Sequence, residues 1–440
     1  MTPTSPPEHI VADRGPWSRS QLAAVAVVLS LVGWALWLYL MPASYMCSWG
    51  LNPDRAEHFR QVLRLPSWPV TVPAFRRGLG VCLVATWLAY VALLSTALAG
   101  GSLPRRWVAR LSAATALFLA VVGPPALSAD VYAYVGYARL ALVHGISPYV
   151  GTQQTLIGLG DLTARFLYWP IPSPYGPFWT LLSLGVVSLL PKSLLWAPVV
   201  FFKLLGAASV LVLAEGGRRL AVRLSSARAE VVFAAIALNP LFLFEGVVSG
   251  HNDMFMMALV VWSLVLSAER PRASFLLLGL AASIKFIPLL LAPWLLMSLL
   301  RRSPPRRWPT LTMEAALLTV GPLVVAFAPF WKGVETLAGL RARSNQGLHP
   351  AGNDMATQAT MVLGLYAVLC VFVARGQQKW VLRAWVIASL SVIVFTTGMW
   401  FPWYFSWPLV VSLILIDGLD LCFSGIVFGG MLLSLWSYVR

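Results

Sequence analysis

Apolar residues in this chain come in long runs, separated by short polar connections rich in arginine. Runs near 19–41, 79–100, 108–128, 194–216, 230–249, 254–269, 308–329, 359–375, 384–401, 403–416 and 422–439 approach the roughly 20 residues a helix needs to cross a hydrocarbon layer. Inside lipid the backbone must satisfy its own hydrogen bonds, so each run predicts a helix and the whole pattern predicts an all-α polytopic membrane protein. Two segments depart from simple spans. The run 274–300 carries Lys285 at its middle, with Arg270 and Arg272 before it and Arg301, Arg302, Arg306 and Arg307 after it. Basic flanks on both sides predict a hairpin of two short helices with Lys285 at the far tip. The run 178–190 is short and follows a proline-rich turn. A full crossing there would deliver Arg218, Arg219, Arg223 and Arg228 outside, so a re-entrant or surface helix is expected.

Composition agrees with this picture. Of 440 residues, 59% are hydrophobic and 11% charged, and the mean hydropathy is +0.77, values of a chain whose main solvent is lipid. The 32 Lys and Arg against 16 acids would suggest nucleic acid in a soluble protein. Here they cluster in short loops and set orientation, so no nucleic-acid partner is expected. Cys47, Cys82, Cys370 and Cys422 show no CxxC or Cys/His spacing, which argues against a disulfide framework or a structural zinc site. Residues 1–18 read as a disordered cytoplasmic tail leading into a retained helix, since the run that follows is too long for a signal-peptide core.

Orientation follows from the basic loops: Arg105, Arg106 and Arg110, the group at 218–228, and Arg375, Lys379 and Arg383 all fall inside. The loop 43–78 disagrees, carrying Arg55, Arg60, Arg64, Arg76 and Arg77 on the outer side. The opposite arrangement, with 178–190 a true span, would put that loop and Asp130 in the cytoplasm while residues after 250 stayed outside. It is set aside because the loop 102–110 is shorter and denser in basic residues.

Sorting the acids by face leaves Asp54, Glu57, Asp130, Asp161, Glu245, Asp253, Glu335 and Asp354 outside. Asp54, Glu57, Asp161 and Glu335 lie in loops that look solvated. Asp130 and Asp253 sit at helix ends among polar neighbours, and an ionisable group at a membrane boundary is a functional hypothesis by default. Capping the helix that starts at Val131 is the competing explanation for Asp130. Tyr132, Tyr134 and Tyr137 follow, with Arg139 and His144, and suggest a helix lying in the interface. The stretches HGISPY and WPIPSPYGPFW, which include Tyr149 and Tyr175, pair extended proline segments with flat aromatic faces of the kind that stack on sugars.

The ordered set of Asp130 with VYAYVGYARL, HGISPY, SPYGPFW, Asn239-Pro240, SGHNDM at 249–254, GLAASIKFIPLLLAPWL around Lys285 and FPWYFSW at 401–407 resembles the GT-C glycosyltransferases. It is similar in particular to bacterial polyprenol-phosphate-mannose-dependent mannosyltransferases of actinobacterial lipoglycan synthesis, over residues 108–416. The Asp-Glu pair of some relatives is absent, because Val131 follows Asp130. The resemblance implies a GT-C type catalytic core over 108–440, preceded at 19–107 by two transmembrane helices with an outer loop. It further implies an active site at the outer face of a bacterial cytoplasmic membrane, a polyprenyl-phosphate sugar donor, and a glycan or glycolipid acceptor. Asp130 maps to the catalytic base.

Lys285 then becomes the candidate for the donor phosphate, with His251 and Asn252 close behind; snorkelling to the interface is the alternative for the lysine. Asp253 could cap the helix from Met254 while binding a hydroxyl. Tyr134, Tyr149, Tyr175, Trp403 and Tyr404 are candidates for the sugars, although Trp403 and Tyr404 would also suit an aromatic belt. His251, Asn252 and Asp253 make a poor metal site, since no second carboxylate cluster supplies the remaining oxygens unless His349 and Asp354 approach. No metal or cofactor is expected. Two rival classes are a lipid-linked glycan transporter, which should show two similar halves, and an O-antigen ligase or polymerase-like enzyme with a diphosphate-linked donor. The loop 331–358, with Lys332, Arg341, Arg343 and His349, keeps the second rival in view.

Overall fold

A computed structural model describes residues 17–45, 52–167, 170–224, 226–339, 355–375, 378–395, 400–415 and 420–436. Trp169, Arg341, Arg343, His349, Asp354, Asp417 and the tail up to residue 16 lie outside the described residues. Among those described, the regular structure is helical and no β-strand forms. The helices are α1 (Arg19–Trp37), α2 (Pro53–Val62), α3 (Val72–Leu98), α4 (Arg105–Val122), α5 (Asp130–Leu142), α6 (Gln153–Gly158) and α7 (Pro177–Leu189). They continue as α8 (Trp196–Arg223), α9 (Ala229–Ala237), α10 (Pro240–Leu243), α11 (Asp253–Leu266), α12 (Pro271–Ala282), α13 (Leu291–Arg301) and α14 (Trp308–Phe327), then α15 (Met355–Arg375), α16 (Gln378–Phe395), α17 (Ser406–Ile414) and α18 (Asp420–Trp436).

Among the described residues, five stretches are long and apolar enough to cross a membrane: Arg19–Leu40, Val72–Leu98, Trp196–Arg223, Ala229–Val248 and Pro305–Phe330. The remaining apolar helices are shorter or interrupted. Local chemistry sets several boundaries away from the hydropathy pattern. Thr71 accepts from the Ala74 amide and starts α3 at Val72, so Arg76 and Arg77 ride on its first turns instead of in a loop. Gly123-Pro124-Pro125 ends α4 at Val122. The run 230–249 is broken at Asn239, whose Oδ1 accepts from the Leu241 and Phe242 amides and starts α10, while its Nδ2 donates to Tyr90 Oη at 2.9 Å. A π turn over Phe244–Val248 completes that segment.

The bundle is built around α8, which packs on α4, α9 and α11; α12 packs between α11 and α14, and α1 lies along α3. Its two ends are chemically distinct. At one end Glu215 meets Arg218 at 2.9 Å, Arg219 at 2.8 Å and Arg105 at 3.7 Å, Arg223 pairs with Glu269, and Arg272 meets Glu314 at 2.8 Å. The arginine-rich connections expected to share a face therefore do share one. Arg301 reaches the Val373 carbonyl there as well, so both ends of 271–301 are on this side and the hairpin expected around Lys285 is present.

The opposite end gathers the residues after α4, the 249–252 connection and the Lys285 turn. The loop before α3 joins them: Asn52 donates to the Arg165 carbonyl at 2.9 Å and its amide bonds Ala126 O, while Arg55 donates to Phe166 O at 3.0 Å. Asp130 and His251 are in contact, which excludes the arrangement that separates them across the membrane. The short helix α7 behaves as expected for a segment that does not cross. It starts where the Gly176 and Phe178 amides bond the Ile284 and Ser283 carbonyls, and soon afterwards Lys192 O accepts from Arg139 of α5.

Two expectations are corrected here. Helix α5 has no exposed face of the kind a helix lying on a membrane surface needs, because every residue from Asp130 to Leu140 is buried by protein. Its tyrosines leave the helix in different directions and each finds a protein partner: Tyr132 stacks on Phe166, Tyr134 meets Tyr175, Trp179 and Phe202, and Tyr137 donates to Ile171 O. Asp161 is likewise not solvated. It accepts from Arg139 Nε at 3.0 Å, from the Thr163 amide and hydroxyl at 2.9 and 2.6 Å, and lies 2.8 Å from His144 Nε2. Burial, which raises a carboxyl, is outweighed by the bonds from Arg139, Thr163 and His144, and Asp161 is held down at about 2.

Candidate active site

A cavity of about 190 Å³ opens at this end, with Asp130, Tyr137, Tyr175, Lys285, Trp403, Tyr404 and Trp407 in its wall and an apolar side made by Ile171, Pro174, Phe286, Ile287 and Val392. Asp130 is the first helical residue of α5, where a negative charge suits the helix dipole. It is not the cap: Ala129 occupies that position and offers no side-chain bond. Ser128 holds the start of the helix, accepting from the Asp130 amide at 3.2 Å and donating to Oδ1 at 3.4 Å.

Behind Asp130 stands His251, with Nδ1 at 3.2 Å from Asp130 Oδ2 and Nε2 at 3.4 Å from Glu245 Oε2. These are ion-pair contacts without hydrogen-bond alignment. The imidazole stacks on Trp403 with ring centres 3.9 Å apart, and Trp403 stacks on Phe401 at 4.4 Å. Burial disfavours the charged imidazole, but the carboxylates of Asp130 and Glu245 outweigh it and push His251 up to about 9. The backbone makes this possible at Gly250, whose φ of +73° turns the chain out of the π turn and where an added Cβ would fall 3.0 Å from Val131.

A second buried pair closes the other side. Lys285 Nζ lies 2.7 Å from both oxygens of Asp253, and Trp407 Nε1 donates to Asp253 Oδ1 at 2.6 Å. The ammonium also sits over the rings of Tyr404 and Trp407, at 5.1 and 5.6 Å. Asp253 is fully buried, whereas Lys285 reaches the cavity with one N–H beyond the two it gives to the carboxylate. Instead of capping α11, Asp253 neutralises the lysine.

Of the expected site residues, Asp130, Lys285, Tyr175, Trp403 and Tyr404 line one cavity. Tyr134, Tyr149, His251, Asn252 and Asp253 stand behind its wall. Tyr134 Oη accepts from the Asn252 amide at 3.2 Å and so holds the 249–252 connection, and burial drives its phenol well above the ordinary value. Tyr149 Oη donates to Tyr175 O at 3.0 Å and packs on Phe327 and Phe330. The Asn252 side-chain amide is enclosed with no hydrogen-bond partner for its Nδ2 or Oδ1. Glu245, sorted to the outer face, and Trp407, within FPWYFSW, have no expected role in the sequence. A carboxylate inside the apolar stretch FLFEGVV, six positions before a histidine, is the signal that could have found Glu245. Among the described residues no cluster of three or more His, Cys, Asp or Glu is arranged to hold a metal.

Comparison with known proteins gives concordant results. The chain is 25% identical over 343 residues to alpha-(1->6)-mannopyranosyltransferase A of Mycobacterium tuberculosis, covering 69% of this chain and 64% of that protein. It is 28% identical over 144 residues to a second alpha-(1->6)-mannopyranosyltransferase of the same organism, covering 32% of this chain and 24% of the relative. A probable alpha-(1->6)-mannopyranosyltransferase of Mycolicibacterium smegmatis is also 28% identical over 144 residues, with 32% and 25% covered. The chain thus spans less than two thirds of the length of each of these relatives. No solved structure matches it. The model of the family described as alpha-(1->6)-mannopyranosyltransferase, N-terminal domain, matches residues 25–301, a segment that holds Asp130, Glu245, His251, Asp253 and Lys285. Because the match takes in more than half of the 440 residues, the chain belongs to the alpha-(1->6)-mannopyranosyltransferase family.

Proposed function

We propose that this protein is an integral membrane mannosyltransferase that takes mannose from a polyprenyl-phosphate donor and adds it, with inversion, to a lipid-linked or glycan acceptor. The active site would face the outer side of a bacterial cytoplasmic membrane. One observation carries the reading: a carboxylate, Asp130, and a lysine, Lys285, share the wall of one cavity that has aromatic rings and an apolar side.

Each group has a task in such a transfer. Asp130 takes the proton of the acceptor hydroxyl while that oxygen's electron pair forms the bond to the anomeric carbon. The bond from that carbon to the phosphate oxygen breaks, and its electron pair leaves on polyprenyl phosphate. Lys285 offers a cation and a remaining N–H to the departing phosphate, and Asp253 keeps the ammonium oriented without removing it from the cavity. Tyr175, Trp403 and Tyr404 supply faces for the sugars, and Phe286, Ile287 and Val392 an apolar approach for the lipid chain.

The test is transfer of radiolabel from polyprenyl phosphate mannose in membranes containing wild type or Asp130→Asn. The variant is expected to lose on the order of 10²- to 10⁴-fold in rate. Undiminished transfer by Asp130→Asn would sink the assignment of the base, and no transfer by wild type would sink the activity.

A further inference from the structure

His251 does not line the cavity, and its surroundings give it a task other than binding phosphate. Its ring is closed on one face by Trp403, and its two nitrogens lie 3.2 and 3.4 Å from carboxylates on different elements, Asp130 on α5 and Glu245 in the π turn. The backbone repeats the connection, since the His251 amide donates to Glu245 O at 3.0 Å. All three side chains are buried. We propose that His251 and Glu245 are positioning residues for Asp130: a protonated His251, held by Glu245 and clamped under Trp403, fixes the Asp130 carboxylate at the cavity wall and balances its charge. This rests on the reading of Asp130 as the general base.

Charge accounting explains why two carboxylates flank one imidazole. Before reaction, the imidazolium offsets the cost of keeping the Asp130 carboxylate buried. After Asp130 has taken the acceptor proton, the imidazolium is still matched by Glu245, so no isolated buried cation opposes the proton transfer. With Glu245 absent, each protonation of Asp130 would strand a buried positive charge. With His251 absent, two carboxylates would share the site with nothing between them.

The other charged groups nearby do not replace this arrangement. Arg55 of α2 acts on Asp130 through space, and the stem of Lys203 on α8 lies beneath Gly250 with its ammonium turned to Gly123 O. The Lys285 ammonium is committed to Asp253 on α11, and Tyr134 of α5 touches the neighbouring Asn252 amide. The Glu245 and Asp130 carboxylates together raise His251 above its ordinary range.

Two readouts on the whole 440-residue chain test the role. In nitrogen-15 histidine NMR, the chain's five histidines are few enough for His251 to be assigned by its loss in His251→Gln. Wild-type His251 is expected to stay protonated through neutral pH and to titrate in the alkaline range. Glu245→Gln should move that midpoint down by about one pH unit or more, and Glu245→Asp by less. The alkaline limb of kcat for mannose transfer should move down with it while KM changes little. A wild-type His251 already neutral at pH 7, or a midpoint unmoved by Glu245→Gln, overturns the role. So does transfer that Asp130→Asn abolishes but whose alkaline limb stays in place in Glu245→Gln, since a merely structural glutamate lowers amplitude without moving the limb. Absence of transfer by wild type overturns the function itself, and this role with it.

Discussion

Lys285 gives two ammonium protons to the fully buried carboxylate of Asp253 and keeps its remaining reach for the cavity. Removing either partner strands a charge, which typically costs about 3–5 kcal/mol, whereas removing both can be close to neutral. Asp253→Asn and Lys285→Met are therefore each expected to lower the thermal unfolding midpoint in detergent, and the double variant to recover part of the loss. A loss in the double variant equal to the sum of the two single losses would show that the pair is not coupled. The sequence placed Lys285 at a hairpin tip from its flanking arginines alone. It could not pair the lysine with Asp253, because a partner 32 positions away is chosen by how α11 packs on α12.

At the scale of elements, α5 is held at both ends by side chains from elsewhere. Its far end depends on Arg139, whose guanidinium joins Asp161 to the Lys192 carbonyl. Asp161 has its folded-state value depressed to about 2, so its stabilising effect is present above the unfolded value of about 3.9 and is lost as pH falls through about 2. Asp161→Asn should remove that acid-side dependence and lower stability at neutral pH, as read from unfolding midpoints at pH 7 and pH 3. An unchanged difference between the two would contradict it. The start of α7 offers a second test. A Cβ on Gly176 would fall 2.3 Å from Ser283 O, which is backbone and cannot swing away. Gly176→Ala should push α7 off the Lys285 turn and reduce both the unfolding midpoint and transfer, while Gly185→Ala, with open space around it, should do neither. Periodicity could place both helices but not their enclosure, since α5 carries aromatics on every side and the partners for each come from distant segments.

For the whole molecule, the division into a basic end and a cavity end is a property of the folded chain, and orientation in the membrane is a further prediction. In a variant with native cysteines replaced, a cysteine at Ile157, exposed at the cavity end, is expected to react with a membrane-impermeant maleimide in intact cells. A cysteine at Arg306, exposed beyond α13, should react only after permeabilisation. The reverse pattern would place the cavity in the cytoplasm. The exposed face of α14, with Met313, Leu317, Val324 and Val325, suits contact with lipid tails.

Hydropathy and basic flanks were enough for the helical class, the side shared by the arginine-rich connections, the Lys285 hairpin and the short α7, because they act locally and need no knowledge of partners. It also singled out Asp130, an acid at the boundary of an apolar run. What each charge touches came from the packing of the helices. It moved Asp161 from solvent into an ion pair, enclosed α5, gave Asp253 to Lys285, and brought Glu245 and His251 behind Asp130. The physical reason is that a buried charge takes its meaning from its neighbours, and in this fold those neighbours come from segments tens to more than a hundred residues away.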